Sequence, residues 1–399
     1  MNIKKYYLYK FFKELMPIYP VYMILFESKE FNIFEISMLL TIWSVPVVIL
    51  EIPSGIIADR WSRKNLLVIG SFLKTLCFVF WLFADGFIFY AVGFVLWGVS
   101  IAFCSGAEEA LIFDSLKSIG KENTFDKVLG RGNFLSGLSV AVASLCGGFI
   151  AMYSGMNSAL IISVFFGALA VGIAASFHEI NHYKSAKSDN IFKIKGMLKD
   201  ELLFFKNKWQ ITIVVLIAIL VVGTAGILDE FDQLIAKGFG LSVGAVGLWV
   251  SFRSIVAALG SLLAPYLKTA IEKFLHIRKR IYVIGIICIA GAVLLGLAGG
   301  IKQLWTMTFY GLYFFLMAAC QVLEEDYLQQ RIEEEGRSTV HSIISLTYNL
   351  FGILFYGILG IVFAVGDLFT GMVFIAIYMI VLVTLLSLFY SIKLRKNTD

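Results

Sequence analysis

Charged side chains interrupt long apolar runs in this sequence, and those side chains are where chemistry would happen. Glu108 and Glu109 are adjacent in one run, and Glu324, Glu325 and Asp326 are adjacent in another. Lys13 and Glu14 sit together in a third, next to Pro17 and Pro20, residues that break or kink a helix. Glu51, Lys74 and Arg253 stand in apolar surroundings. An ionisable group inside hydrocarbon costs several kcal/mol, so each is a functional candidate. Proton exchange needs a carboxylate whose pKa lies near ambient pH, and burial or a neighbouring like charge moves a carboxylate that way. The coupling candidates are therefore Glu51, Glu108 and Glu109, then Glu14 and Glu324. Adjacent helical side chains point about 100° apart, so only one of each glutamate pair faces a cavity well. The competing role is an internal ion pair, for instance Glu51 with Lys74 or Arg253.

A second chemistry is written in His178-Glu179-Ile-Asn-His182, which reads as H-E-x-x-H. On a helix that spacing sets two imidazoles on one face for zinc, with the glutamate as general base, as in a membrane metalloprotease. A catalytic zinc needs a third protein ligand. The nearest acids, Asp189, Asp200 and Glu201, lie in a lysine-rich stretch with no ligand motif. The sequence therefore favours no metal, and it has no phosphate-cradling loop and no G-x-S-x-G. No cofactor is expected.

The elements that position these groups follow from composition. Of 399 residues, 59% are hydrophobic, 15% aromatic and 15% charged, against roughly 25% charged in a soluble domain. Such a chain fits neither water nor nucleic acid, and lipid is its expected solvent. A helix of about 20 apolar residues crosses a bilayer core of about 30 Å. Twelve such runs can be laid out, at about 6–26, 36–58, 66–84, 88–113, 132–152, 157–177, 211–231, 243–266, 281–299, 303–323, 339–362 and 368–391. The five cysteines fall inside apolar stretches and are expected as small buried hydrophobes.

Only Lys29, Lys237 and Lys302 lie in outside loops if both termini are cytoplasmic, so the positive-inside rule favours that orientation. The stretch 178–210 carries seven lysines and separates an N-terminal bundle, 1–177, from a C-terminal bundle, 211–399. The two halves resemble each other weakly. Glu108-Glu109 match Glu324-Glu325, and Phe31 to Leu39 match Phe239 to Leu248. Parallel six-helix repeats are a transporter design with the substrate site near mid-membrane. The expected fold is all-α, with twelve transmembrane helices in two six-helix pseudo-repeats.

Between spans two and three lies Gly55-Ile-Ile-Ala-Asp59-Arg60-Trp-Ser-Arg63-Lys64. This loop resembles the G-x-x-x-D-R-x-x-R-K loop of the major facilitator superfamily, in sequence and in place. The resemblance implies a conformational latch at the inner helix ends, made by Gly55, Asp59, Arg60, Arg63 and Lys64 with Asp114 and Arg131. Glu51-Ile-Pro53-Ser-Gly55 and residues 105–114 are similar to a bacterial exporter subgroup. Two features depart from it. Ala102 stands where proton-coupled members carry an arginine, and Ala143-Ser144 replaces the Gly-Pro before Gly147-Gly148.

In that family helices one, four, seven and ten line the cavity. Tyr19, Tyr22, Trp97, Phe103, Phe231, Tyr310, Tyr313 and Phe314 are its candidate aromatic walls, with Trp43 on span two and the charged Lys74 and Arg253. Asp229, Glu230 and Asp232 form an acidic cluster, either a solvated helix end or a gate that attracts cations. The expected protein is a monomeric multi-pass carrier of a bacterial-type inner membrane. Its partners would be a small-molecule substrate, protons and lipid, with no nucleic acid. Its expected activity is proton-coupled efflux of an amphipathic organic compound or drug. Uptake or exchange of a metabolite is the alternative.

Overall fold

The computed structural model describes residues 2–179, 208–277, 279–329, 331 and 337–396. These residues are helical, and there is no strand among them. The helices are α1 (Asn2–Glu14), α2 (Tyr22–Ser28), α3 (Ile33–Arg60), α4 (Arg63–Leu82), α5 (Phe87–Lys117), α6 (Phe125–Ser154) and α7 (Met156–Ala175). They continue as α8 (Trp209–Gly238), α9 (Val243–Leu275), α10 (Arg280–Ile301), α11 (Met307–Gln329), α12 (Arg337–Val365) and α13 (Leu368–Lys396). Eleven described helices are long and apolar enough to cross a bilayer. The expected first crossing is the α1–α2 pair, of 13 and 7 residues.

Proline explains that break. Pro17 and Pro20 have no N–H to give to a helical ladder, and residues 15–21 run as tight turns between the two short helices. The orphaned backbone is met from outside: the Ile18 N–H donates to Ser163 Oγ on α7 at 3.1 Å. Gly147 on α6 lets the Pro17 carbonyl come close, and a Cβ there would stand 2.0 Å from that oxygen. Backbone cannot yield as a side-chain tip can. Gly147→Ala is therefore expected to destabilise by about 1–3 kcal/mol, read as a lower melting midpoint in detergent. Gly137→Ala on the same helix meets nothing within 4 Å and should melt like the parent.

The chain divides into two compact units, Met1–Lys187 with Leu241–Ser251, and Ser188–Gly240 with Phe252–Asp399. In the first, α5 packs on α3 and α4, α4 on α7, and α1 on α6 and α7. An aromatic nest fills one end, where Phe26, Trp81, Tyr90 and Phe94 meet edge-to-face. In the second, α10 packs on α11 and α13. Helix α8 contains a π turn at Ala218–Val222. Such turns interrupt the ladder and often mark functional positions.

Four cysteines are buried as expected, but Cys146 is exposed. It shares an outward face of α6 with Val142, Leu145 and Phe149, the kind of apolar surface that lipid covers.

The turn between α12 and α13 is pinned by charge. Asp367 accepts from Lys302 Nζ at 2.8 Å and from the Thr370 N–H and hydroxyl at 2.7 Å each. The Lys302 bond, then those from Thr370, hold its carboxyl down at about 2. A carboxylate with a depressed folded pKa stabilises above its unfolded value of about 3.9, and here the contribution fades as pH falls toward about 2. Both side chains are half exposed, so the effect stays under about 1 kcal/mol. The melting difference between the parent and Lys302→Gln should accordingly be small at neutral pH and shrink as the medium is acidified through that window.

Candidate functional site

In the first unit, α1 places Lys10, Lys13 and Glu14 at i, i+3 and i+4, and so on one face. Glu108 on α5 receives both lysines, Lys10 Nζ at 3.0 Å on Oε1 and Lys13 Nζ at 2.8 Å on Oε2. Glu14 ends α1 and takes Lys74 of α4 at 3.3 Å and the Tyr19 hydroxyl at 3.0 Å. The break after Glu14 also frees the Lys13 carbonyl, which accepts from Lys74 Nζ at 3.2 Å. Lys74 is buried. Its ammonium lies 5.3 Å from the centroid of the Tyr19 ring and 5.8 Å from that of the Trp97 ring, two near-parallel rings whose centroids are 5.7 Å apart. Trp43 meets Trp97 edge-on at 6.1 Å, and Tyr22 packs on Trp81 and Trp97. Phe103 packs on the hydrophobic core beside Cys104 and Tyr9. Glu109 is exposed while its neighbour Glu108 is buried, and Glu51 is half-buried on α3.

In the second unit a cavity of about 540 Å³ is lined by Asp229, Arg253, Phe314, Glu324, Glu325 and Tyr348, among others. The π turn contributes Ala218, Ile219 and Val222 to its wall. Asp229 and Asp232 lie one turn apart on α8, and both hold Arg253 of α9. Nε is 2.8 Å from Asp232 Oδ2, and Nη2 contacts Asp229. The Phe314 ring covers the guanidinium at 4.4 Å. Tyr310 and Tyr313 are fully buried behind the lining, with Tyr313 bonded to Thr224 at 3.1 Å. Phe231 is buried too. Glu324 is 2% exposed, and its Oε1 has no hydrogen-bond partner among the described residues. Composition could not single out Tyr348, one of 17 tyrosines, nor Lys10, which lies near the chain end and looks like a surface charge.

At the loop between α3 and α4, Arg63 Nη1 lies 2.5 Å from Asp114 Oδ2 and 3.1 Å from the Ala110 carbonyl. Lys64 is half-buried and Arg131 exposed. The surroundings of Gly55 and the side chains of Asp59 and Arg60 lie outside what the structure describes. Glu179 caps this corner: its carboxylate accepts from the Ser62 hydroxyl and, at 3.0 Å, from the Arg63 N–H at the start of α4. The glutamate of the H-E-x-x-H pattern therefore serves as a helix cap. His178 is exposed, and His182 lies outside the described residues.

Eleven described helices long and apolar enough to cross a bilayer, with charged groups held among them, mark a multi-pass membrane protein. The family model for the Major Facilitator Superfamily matches residues 11–357, and the chain belongs to that superfamily. An uncharacterized MFS-type transporter of Bacillus subtilis, YxaM, is 22% identical over 260 residues, 64% of this chain and 61% of that protein. The match thus spans about three-fifths of the Bacillus protein's length. An uncharacterized transporter of Buchnera aphidicola is 24% identical over 348 residues, 86% of this chain and 83% of its own. Among solved structures, the nucleoside transporter NupG superposes with a TM-score of 0.72 at 14% identity, covering 98% of this chain and 99% of its own. A bacterial homolog of the human lysosomal transporter Spinster, inward-facing and occupied, gives 0.73 at 15% identity, covering 97% and 94%. At these identities the likeness concerns the fold.

Proposed function

We propose that this protein is a secondary carrier that exports a small amphipathic organic compound in exchange for protons, with Glu324 as the proton-carrying group. One observation carries the reading: Glu324 is a cavity-lining carboxylate, buried, with an oxygen that no described group satisfies. Burying an unpaired carboxylate charge is costly, and a proton relieves that cost. By contrast Glu108 and Glu14 are committed to lysines and read as structural ion pairs. The Arg63–Asp114 contact serves as the conformational latch, because a charge pair formed in one state and broken in the other biases the balance between them. The carrier works as a monomer in a bacterial-type inner membrane with both termini in the cytoplasm, an orientation that the lysine and arginine placement supports.

The test is reconstitution into vesicles under an imposed pH gradient, with compounds screened for substrate-dependent proton movement. Saturable proton flux supports the reading. Substrate flux that ignores the gradient contradicts it. Uptake or exchange of a metabolite is the second reading, favoured by Ala143-Ser144, where the Gly-Pro of the antiporter signature is missing.

A further inference from the structure

The Arg63–Asp114 contact belongs to a closed ring of hydrogen bonds that starts in the first turn of α1. Asn2 is buried, with 5% of its surface exposed. Its Nδ2 donates to Ser115 Oγ on α5 and to the His178 carbonyl, at 2.8 Å each, and its Oδ1 accepts from the His178 N–H at 3.0 Å. One side chain therefore satisfies both backbone groups of a residue that lies past the end of α7, where no helical ladder does so. One turn further along α1, Lys5 Nζ donates to the Ser176 carbonyl, an acceptor that the end of α7 leaves open. The residue after His178 is Glu179, whose carboxylate caps α4. Arg63 begins α4 and reaches Asp114 on α5. Asp114 precedes Ser115, and there the ring closes on Asn2. Among the described residues Asn2 has no hydrogen bond to α4, so its effect on Arg63 must pass through residues 176–179 or through α5.

We propose that Asn2 is a positioning residue of the latch, acting through residues 176–179. It fixes His178, and with it the Glu179 carboxylate at the start of α4, so that Arg63 meets Asp114 from a helix end that is already ordered. A backbone free to sample many conformations would bring a carboxylate to that cap for only part of the time, and ordering it has an entropic cost. Asn2 and Lys5 order it from α1. The first turn of α1, the exit from α7 and the latch then loosen together, as one cooperative unit. The inference rests on the latch reading for its bearing on transport, whereas the coupling itself is read without substrate.

Hydrogen–deuterium exchange of the full-length protein in detergent micelles, resolved by peptide mass spectrometry, reads the Arg63 and Asn65 amides, which donate to Glu179 and Ser62. Asn2→Ala should quicken that exchange by about tenfold, the scale of losing a helix cap. Glu179→Ala should do the same, and the two changes together should do no more than either alone, because each removes a link of one path. Exchange in α10 of the second unit should stay at the parent rate in all three. Should the melting curve show that Asn2→Ala does not fold, Lys5→Gln loosens the same segment and should quicken the same amides severalfold. A role confined to the packing of α1 would quicken exchange in α1 and leave Arg63 and Asn65 at the parent rate, and that result overturns the inference. So do effects of Asn2→Ala and Glu179→Ala that multiply, which would place the coupling in α5, and quickening that extends to α10, which would be general loosening. Undiminished flux in Asp114→Asn sinks the latch reading alone. Parent-like exchange at the start of α4 in folded Asn2→Ala sinks the positioning role alone.

Discussion

Glu324→Gln leaves the protein folded, exchanging labelled for unlabelled substrate across a vesicle wall, and unable to couple substrate to protons. The amide is close to the carboxyl in shape, so packing around the side chain survives. What disappears is the ability to alternate between a neutral and a charged form in a place where the charged form costs several kcal/mol. Each ~1.4 kcal/mol is tenfold in an equilibrium, so proton-driven accumulation should fall by roughly a hundredfold. Exchange, which needs no net proton movement, should persist. Both activities can be read in the same vesicles, the first with a pH gradient and the second with labelled substrate on one side only. Full proton-driven accumulation by the amide variant contradicts the assignment. Loss of exchange as well assigns Glu324 to substrate binding instead.

The second large effect belongs to Glu14 and Lys74. Lys74 is 6% exposed, and Glu14 is its carboxylate at 3.3 Å. Glu14→Gln leaves a buried ammonium with the Lys13 carbonyl and two ring faces for support, which should destabilise by about 3–5 kcal/mol. Removing the cation together with the anion, in Glu14→Gln with Lys74→Met, deletes the uncompensated charge and should recover most of that loss, because apolar replacements of buried pairs are often near neutral. The melting midpoints of the parent, the two single variants and the double variant form a cycle that isolates the pair. Additive losses would show that the two side chains stabilise the fold independently.

Much of this was legible in the chain. Long apolar runs with charges between them give the crossings because lipid forces the backbone to satisfy itself helix by helix. Pro17 and Pro20 announce the interruption of the first crossing because proline's effect is local. The split fates of Glu108 and Glu109 follow from helical geometry once the helix is granted. Pairings were not legible. Glu108 finds Lys10 and Lys13, and Glu14 finds Lys74, through packing between α1, α4 and α5, and nothing in the local sequence of one partner names the other. The π turn at Ala218–Val222 is equally silent, since Ala-Ile-Leu-Val-Val has no residue that a regular helix would refuse. The H-E-x-x-H spelling shows the converse hazard: the same letters suit a zinc site or a helix cap, and only the neighbouring Ser62 and Arg63 decide what Glu179 does.

Three of the seven indoles, Trp43, Trp81 and Trp97, crowd together within ring contact in the first unit, and the ammonium of Lys74 lies against one of them. None of the described residues lining the cavity of the second unit is a tryptophan. The cluster's share of the native ultraviolet emission, given alongside that of Trp61, Trp209, Trp249 and Trp305, is therefore an optical gauge of the electric field that Lys74 imposes there, and a molecule settling beside Glu324 would touch none of those three clustered indoles directly.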